Sequence, residues 1–157
     1  SDTTNRGLDV CLGSIESEYY ASLNIKRPVT DYLDLASSLA FFINNVRYYY
    51  NNALIVVVSP IQRSRTDNWQ SGGEEIPYRT FRTTKVIKEV CENENVIFID
   101  ANSKSGIVRE EILQGTLKNV LNSDGVHPEK KGAKMIAKCI HEQMKKHYNP
   151  VTETFEV

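Results

Sequence analysis

Short apolar runs alternate along this chain with stretches in which apolar residues recur every three or four positions. Residues 8–15 (LDVCLGSI) form a nearly continuous apolar run, as expected of a strand buried on both faces. A polar loop over 16–29 precedes Thr30 and Asp31, either of which can cap a helix. Tyr32, Leu35, Ala36, Leu39, Phe42, Ile43 and Val46 then fall on one face at helical spacing. Residues 53–59 (ALIVVVS) carry the strongest strand signal, β-branched and uninterrupted, and Pro60 stops it. The polar stretch 62–76, with Gly72 and Gly73 inside it, is expected to be a long loop serving a site or a partner. A second helix is predicted from Pro77, well placed at a first helical position, through Phe81, Ile87, Val90 and Cys91. Residues 96–100 (VIFID) read as a third strand and 108–113 as a short helix. A last helix follows Pro128 and is expected to bury Ala133, Ile136, Ala137, Ile140 and Met144.

The resulting order of strand, helix, strand, helix, strand, helix predicts a parallel α/β layer with its loops gathered at the C-terminal strand ends. Three continuously apolar parallel strands leave an unpaired edge, which has to be covered. The pattern therefore predicts a neighbour completing the sheet, either an upstream segment or another subunit. At 157 residues the chain is long enough for one domain with its own core. Residues 1–149 read as that domain and 150–157 as a tail or linker. A formal net charge of −1 gives no reason to expect nucleic acid or an anionic membrane as partner. No apolar run approaches the about 20 residues needed to cross a bilayer, so a soluble protein is expected. Cys11, Cys91 and Cys139 lie in apolar surroundings and form no Cys-x-x-Cys pair or Cys/His cluster, so they read as free thiols and not as metal ligands. Free thiols suit a cytosolic or particle-bound protein better than a disulfide-stapled secreted one. Residues 1–7 are polar and contain no apolar signal-peptide core.

Of the three histidines, His141 and His147 fall on the polar side or at the end of the last helix and read as surface residues. His127 stands in Asp124-Gly125-Val126-His127-Pro128, at a loop-to-helix junction. With a turn started by Gly125 and fixed by Pro128, the Asp124 carboxylate can fold back onto the imidazole Nδ1. That contact would orient the ring and stabilise its charged form, leaving Nε2 as a general base. The same residues also fit a plain helix start, with Asp124 or His127 as cap, Pro128 in the first turn and Glu129 near the positive end of the dipole. Ser14, Ser17 and Ser59 sit near strand ends, but none stands in a Gly-x-Ser-x-Gly elbow. No Gly-x-Gly-x-x-Gly or Walker loop is present, which argues against nucleotide binding.

The string from Asp124 to Pro128, followed by Lys130-Lys131-Gly132-Ala133-Lys134-Met135-Ile136-Ala137, resembles the final block of the SGNH/GDSL-type serine hydrolases. In that block an Asp-x-x-His-Pro segment opens the last helix, often with a glycine a few residues on. Residues 8–12, 20–25, 56–63 and 86–100 resemble, in the same order, the family's third-block strand, the loop after it, the next strand with its proline, and the penultimate helix and strand. The resemblance implies a flavodoxin-like three-layer α/β/α sandwich of the SGNH type, lacking its N-terminal strand or strands. It also implies Asp124 and His127 as catalytic residues, small esters or carbohydrate O-acetyl groups as substrates, and no metal or cofactor. The loop containing Asn24-Ile25 and the turn Pro60-Ile61-Gln62-Arg63 are similar to those of bacteriophage tail and bacterial surface members. Neither the family's Gly-Asp-Ser block, which supplies the nucleophile, nor its second block is visible in this sequence. Where the third block, Gly-x-Asn-Asp, is expected, the chain reads Glu16-Ser17-Glu18-Tyr19 or, in another register, Gly13-Ser14-Ile15-Glu16. Neither supplies the asparagine amide, and loss of one oxyanion donor costs about 3–4 kcal/mol. Two readings follow. In one, the chain is part of an ester hydrolase whose serine comes from an upstream segment or another chain. In the other, it keeps the fold without the chemistry and serves carbohydrate or receptor binding, or a structural role in a larger assembly such as a phage particle. In that case Tyr19, Tyr20, Trp69 and Tyr78 are candidate contact residues.

Overall fold

The computed structural model describes residues 12–16, 34–65 and 76–157, with only the backbone given for 76–79. The first long element is helix α1, Leu35–Tyr49. Its cap is Asp34, not Thr30 or Asp31, which lie outside the described residues. The Asp34 carboxylate accepts from the Ser37 backbone N–H at 2.7 Å and from the Ser37 hydroxyl at 3.1 Å. It satisfies one of the free N–H groups at the helix start, a contact worth about 1 kcal/mol. The buried face carries Ala36, Ser37, Ala40 and Ile43, whereas Phe42, expected on the apolar stripe, is 63% exposed.

Strand β1, Val56–Val58, pairs in parallel with β2, Ile97–Ile99, in the register Val56↔Ile97, Val57↔Phe98, Val58↔Ile99. Helix α2, Ile76–Asn93, makes the crossover between them, as a parallel pair requires. The pairing extends at both ends, where Ile97 N–H donates to Ile55 and Ser59 N–H to Ile99. Ile55, Val57 and Phe98 lie against Ala36, Ala40 and Ile43 of α1 and Ile87, Val90 and Cys91 of α2. That is the larger hydrophobic core. Arg47 ties the end of α1 to the turn before β2, donating to the carbonyls of Glu94 and Asn95.

The expected strand over 8–15 is described only from Leu12. There Leu12 is buried and helical, Gly13 and Ser14 are irregular, and Ile15 and Glu16 form a turn. A continuous apolar run cannot separate a strand from a buried helical segment. Gly13, at φ +64°, also breaks extended backbone, and a Cβ there would lie 2.3 Å from the Asp34 carboxyl group. Residues 8–11 of that expected strand lie outside the described residues, and among the described ones the parallel sheet has two strands.

After β2 come two short helices, α3 (Ala101–Lys104) and α4 (Arg109–Leu113), then a loop, then α5, Lys130–Met144. The buried side of α5 is Gly132, Cys139 and Gln143, with Ala133 and Ala137 exposed, which corrects the expected burial of those two alanines. Gln143 is buried because its amide matches a peptide group. It accepts from the Asp100 N–H and donates to the Asp100 carbonyl, both at 3.1 Å, and so clamps α5 to the end of β2. Cys91 and Cys139 are buried free thiols as expected, and desolvation, with Glu92 adding to it, pushes the Cys91 thiol up to about 12. After a 3-10 turn, Lys145–His147, strands β3 (Tyr148–Asn149) and β4 (Thr154–Phe155) pair as a hairpin, with Tyr148 packed on Phe155. Among the described residues no helix is long and apolar enough to cross a membrane.

Candidate active site

A small second core carries the loop from Val120 to Glu129. Ile107, Val120 and Leu121 are buried in it, with Ile61, Ile112, Leu117, Met135 and Ile136 packed around them. The ends of the loop close on each other. Leu121 and Pro128 form an antiparallel bridge, Asn122 N–H donates to His127 at 2.8 Å, and Glu129 N–H donates to Val120 at 2.9 Å. Gly132, in the first turn of α5, lies against this base. A Cβ there would sit 2.0 Å from the Val120 carbonyl oxygen, so only glycine lets the helix approach this closely. Gly125, at φ +67°, makes the turn, and its carbonyl accepts from the backbone N–H groups of Ser64 (2.9 Å) and Arg65 (3.3 Å). The segment after β1 thus clasps the loop from the other side.

Within this frame both oxygens of Asp124 are used. Oδ1 accepts from the Val126 and His127 N–H groups at 2.8 and 3.0 Å, and Oδ2 meets His127 Nδ1 at 2.5 Å. The His127 contact and then the two backbone donors lower the Asp124 carboxyl to about 2. The plain helix-start reading fails in detail. The cap position of α5 is Glu129, which makes no side-chain capping bond, and Asp124 serves its own loop and the imidazole. The His127 side chain is 74% exposed and that of Asp124 42%. Among the described residues Nε2 of His127 has no hydrogen-bond partner. The arrangement therefore presents a ring whose orientation is fixed at Nδ1 and whose other nitrogen is open to accept a proton.

Among the described residues, the others singled out in the sequence make no hydrogen bond with this dyad. Ser59 is buried, and its Oγ accepts from the Ala101 and Asn102 N–H groups at 2.9 and 3.0 Å, a capping role at the start of α3. Ser14 Oγ accepts from the Glu16 N–H. Ser17, Tyr19, Tyr20 and Trp69 lie outside the described residues, and Tyr78 lies in α2 with its side chain undescribed. His141 is exposed, and His147 faces the Glu156 carbonyl in the C-terminal hairpin. Sequence reasoning missed Gln62. Its Oε1 accepts from the Arg109 N–H at 3.0 Å and its Nε2 donates to the Asn102 carbonyl at 3.1 Å, joining the segment after β1 to the starts of α3 and α4.

Solved structures share this arrangement of chain. The esterase domain of the ORF1 protein of the zebrafish ZfL2-1 retrotransposon superposes at TM-score 0.52 with 19% identity, covering 86% of this chain and 73% of that one. A GDSL-like lipase candidate from Parabacteroides merdae gives 0.52 and 18%, covering 75% of this chain and 50% of that one. A peptidoglycan O-acetylesterase gives 0.55 and 14%, covering 82% of this chain and 35% of that one. The chain thus spans half or less of the length of two of these three. No protein-family model matches the chain, and no curated protein matches it. The chain, of mixed helix and strand, shares the SGNH/GDSL-type fold of these structures.

Proposed function

We propose that this chain carries the general-base half of an SGNH-type ester hydrolase, with His127 as base and Asp124 orienting it. The serine would come from an upstream segment or another chain. The observation that carries this reading is the 2.5 Å contact from Asp124 Oδ2 to His127 Nδ1, with Nε2 left open. In the reaction Nε2 takes the serine proton as Oγ attacks the ester carbonyl. The imidazolium, stabilised by Asp124, then returns that proton to the departing alcohol. Water repeats the sequence on the acyl-enzyme. Small esters or carbohydrate O-acetyl groups are the expected substrates, in keeping with the esterases and the O-acetylesterase that share the fold.

The test is fluorophosphonate labelling of the native purified material, followed by mass mapping. An adduct on a companion segment or chain, lost in His127→Ala, is the expected result. An adduct on one of this chain's own serines would overturn the split arrangement, and no adduct on folded protein would overturn the hydrolase reading.

A second reading has its own observation. Where the family carries an asparagine donor, Gly13-Ser14-Ile15-Glu16 places Ile15, whose side chain has no N–H to donate. Without that donor a developing oxyanion is less well stabilised. A module that keeps the fold for carbohydrate or receptor binding, or as part of a larger assembly, accommodates this. Glycan-array binding without esterase activity in the complete assembly is the result that would favour it.

A further inference from the structure

At the C-terminal ends of β1 and β2, where open α/β sheets take their ligands, lies a pocket of about 370 Å³. Its wall includes Gln62, Arg63, Phe81, Asn102, Arg109 and Glu110. The volume falls in the range of small-molecule sites. The pocket is a built feature, because Gln62 bonds both the Asn102 carbonyl and the Arg109 N–H and so ties the segment after β1 to the starts of α3 and α4, which line it. It is also continuous with the dyad's support. Arg63 directly precedes Ser64 and Arg65, whose N–H groups hold Gly125, two residues before His127.

The charges in this pocket are not matched to one another. Among the described residues neither Arg63 nor Arg109 forms an ion pair or a side-chain hydrogen bond, and the Nε of Arg109 is buried with no acceptor. A buried N–H without a partner is costly, and a guanidinium fork is best satisfied by a planar two-oxygen anion. Two arginines against one glutamate leave the wall with a net charge of +1, which suits a monoanion better than a dianion. Phe81 adds an exposed apolar face.

We infer that this pocket, through Arg109 assisted by Arg63, binds a carboxylate carried by the substrate. Its place beside the scissile ester rests on the hydrolase reading above, but the binding itself does not. The expected substrate is therefore an ester whose acyl or alcohol part bears a carboxylate, and a purely neutral ester fits less well.

The direct test is NMR of the ¹⁵N-labelled chain, following the arginine Nε–Hε signals, titrated separately with succinate, with its uncharged diamide and with inorganic phosphate. Succinate is expected to shift the Arg109 signal, with affinity falling as salt rises. Arg109→Gln is expected to weaken binding about tenfold or more, since a hydrogen bond to a charged group contributes about 1.5–3 kcal/mol. Arg109→Lys, which keeps the charge, should retain part of the affinity, and Arg63→Gln should lose less than Arg109→Gln. Equal binding of the diamide, tighter binding of phosphate, or unchanged affinity in folded Arg109→Gln would each overturn the inference. In the complete assembly, the ratio of kcat/KM for an acid-bearing ester over its neutral counterpart should fall in Arg109→Lys. Succinate binding through Arg109 in an assembly that hydrolyses no ester would support this pocket while removing the hydrolase reading.

Discussion

The two hydrophobic cores do different jobs. The larger joins α1 and α2 to the faces of β1 and β2 and contains seven buried residues, none of them in the dyad's loop. The smaller has three, and two of them, Val120 and Leu121, are the base of that loop. Stability in a domain scales with buried apolar area, so the larger core should set whether the chain folds. The smaller core, with its glycine contacts, should set where His127 points. If that division is right, substitutions can be sorted by which readout they move.

The largest effect should fall on chemistry alone. In the complete assembly His127→Ala should lower ester hydrolysis by roughly 10²–10⁴-fold, the usual contribution of a positioned general base. Because the side chain is mostly exposed, stability should stay within about 0.5 kcal/mol of wild type by chemical denaturation. Hydrolysis at the wild-type rate would remove His127 from the mechanism. Ile43→Ala is the converse case. Ile43 is fully buried in the larger core, and its truncation should cost roughly 2–5 kcal/mol. Activity per folded molecule should be unchanged, and a selective loss of activity would show that the two cores are coupled.

Gly132→Ala lies between these. In an open helix interior the change gains about 1 kcal/mol, because alanine is the better helix former. Here the added methyl would meet the Val120 carbonyl at 2.0 Å, and overpacking of this kind costs about 1–3 kcal/mol. The sign should therefore reverse to destabilisation. Since Val120 supports the loop, activity should fall by more than the loss of folded protein explains. A more stable, fully active Gly132→Ala would show that the loop does not depend on this contact.

What could be read from the sequence follows the range of the interactions. Asp124 and His127 are three residues apart with a glycine and a proline fixing the turn, so their contact was legible. The identity of Gly132 was legible by resemblance, but its reason is a contact twelve residues back along the chain. The face of α5 was read one position off because hydrophobicity counted Ala133 and Ala137. The buried positions are a glycine, a cysteine and a glutamine, and the glutamine is buried for its hydrogen bonds to Asp100. The run over 8–15 was ambiguous in period, and of it only Leu12 to Ile15 lie among the described residues. The arginine pocket was invisible because Gln62 meets Arg109 across 47 residues, a distance no local pattern spans.

The smallest effect is also the most local. Asp124 titrates at about 2 in the folded chain, below its ordinary 3.8, because the His127 ring and then the Val126 and His127 N–H groups favour its charged form. A carboxyl whose folded value is lowered contributes stability above its unfolded value, and that contribution disappears as pH falls from about 3.8 through about 2. Since Asp124 lies at the surface, the change should appear in its own titration before it appears in unfolding curves. Carboxyl-carbon NMR of the wild-type chain should place the midpoint near 2. In His127→Ala the midpoint should rise toward 3.8 without reaching it, because the two backbone donors remain. An unmoved midpoint would mean that the backbone turn alone holds the carboxylate. The imidazole would then be a bystander to Asp124, and the case for an oriented base would lose its foundation. A midpoint that rises partway would show that the carboxylate and ring act on each other in the free chain, before any serine or substrate is in place.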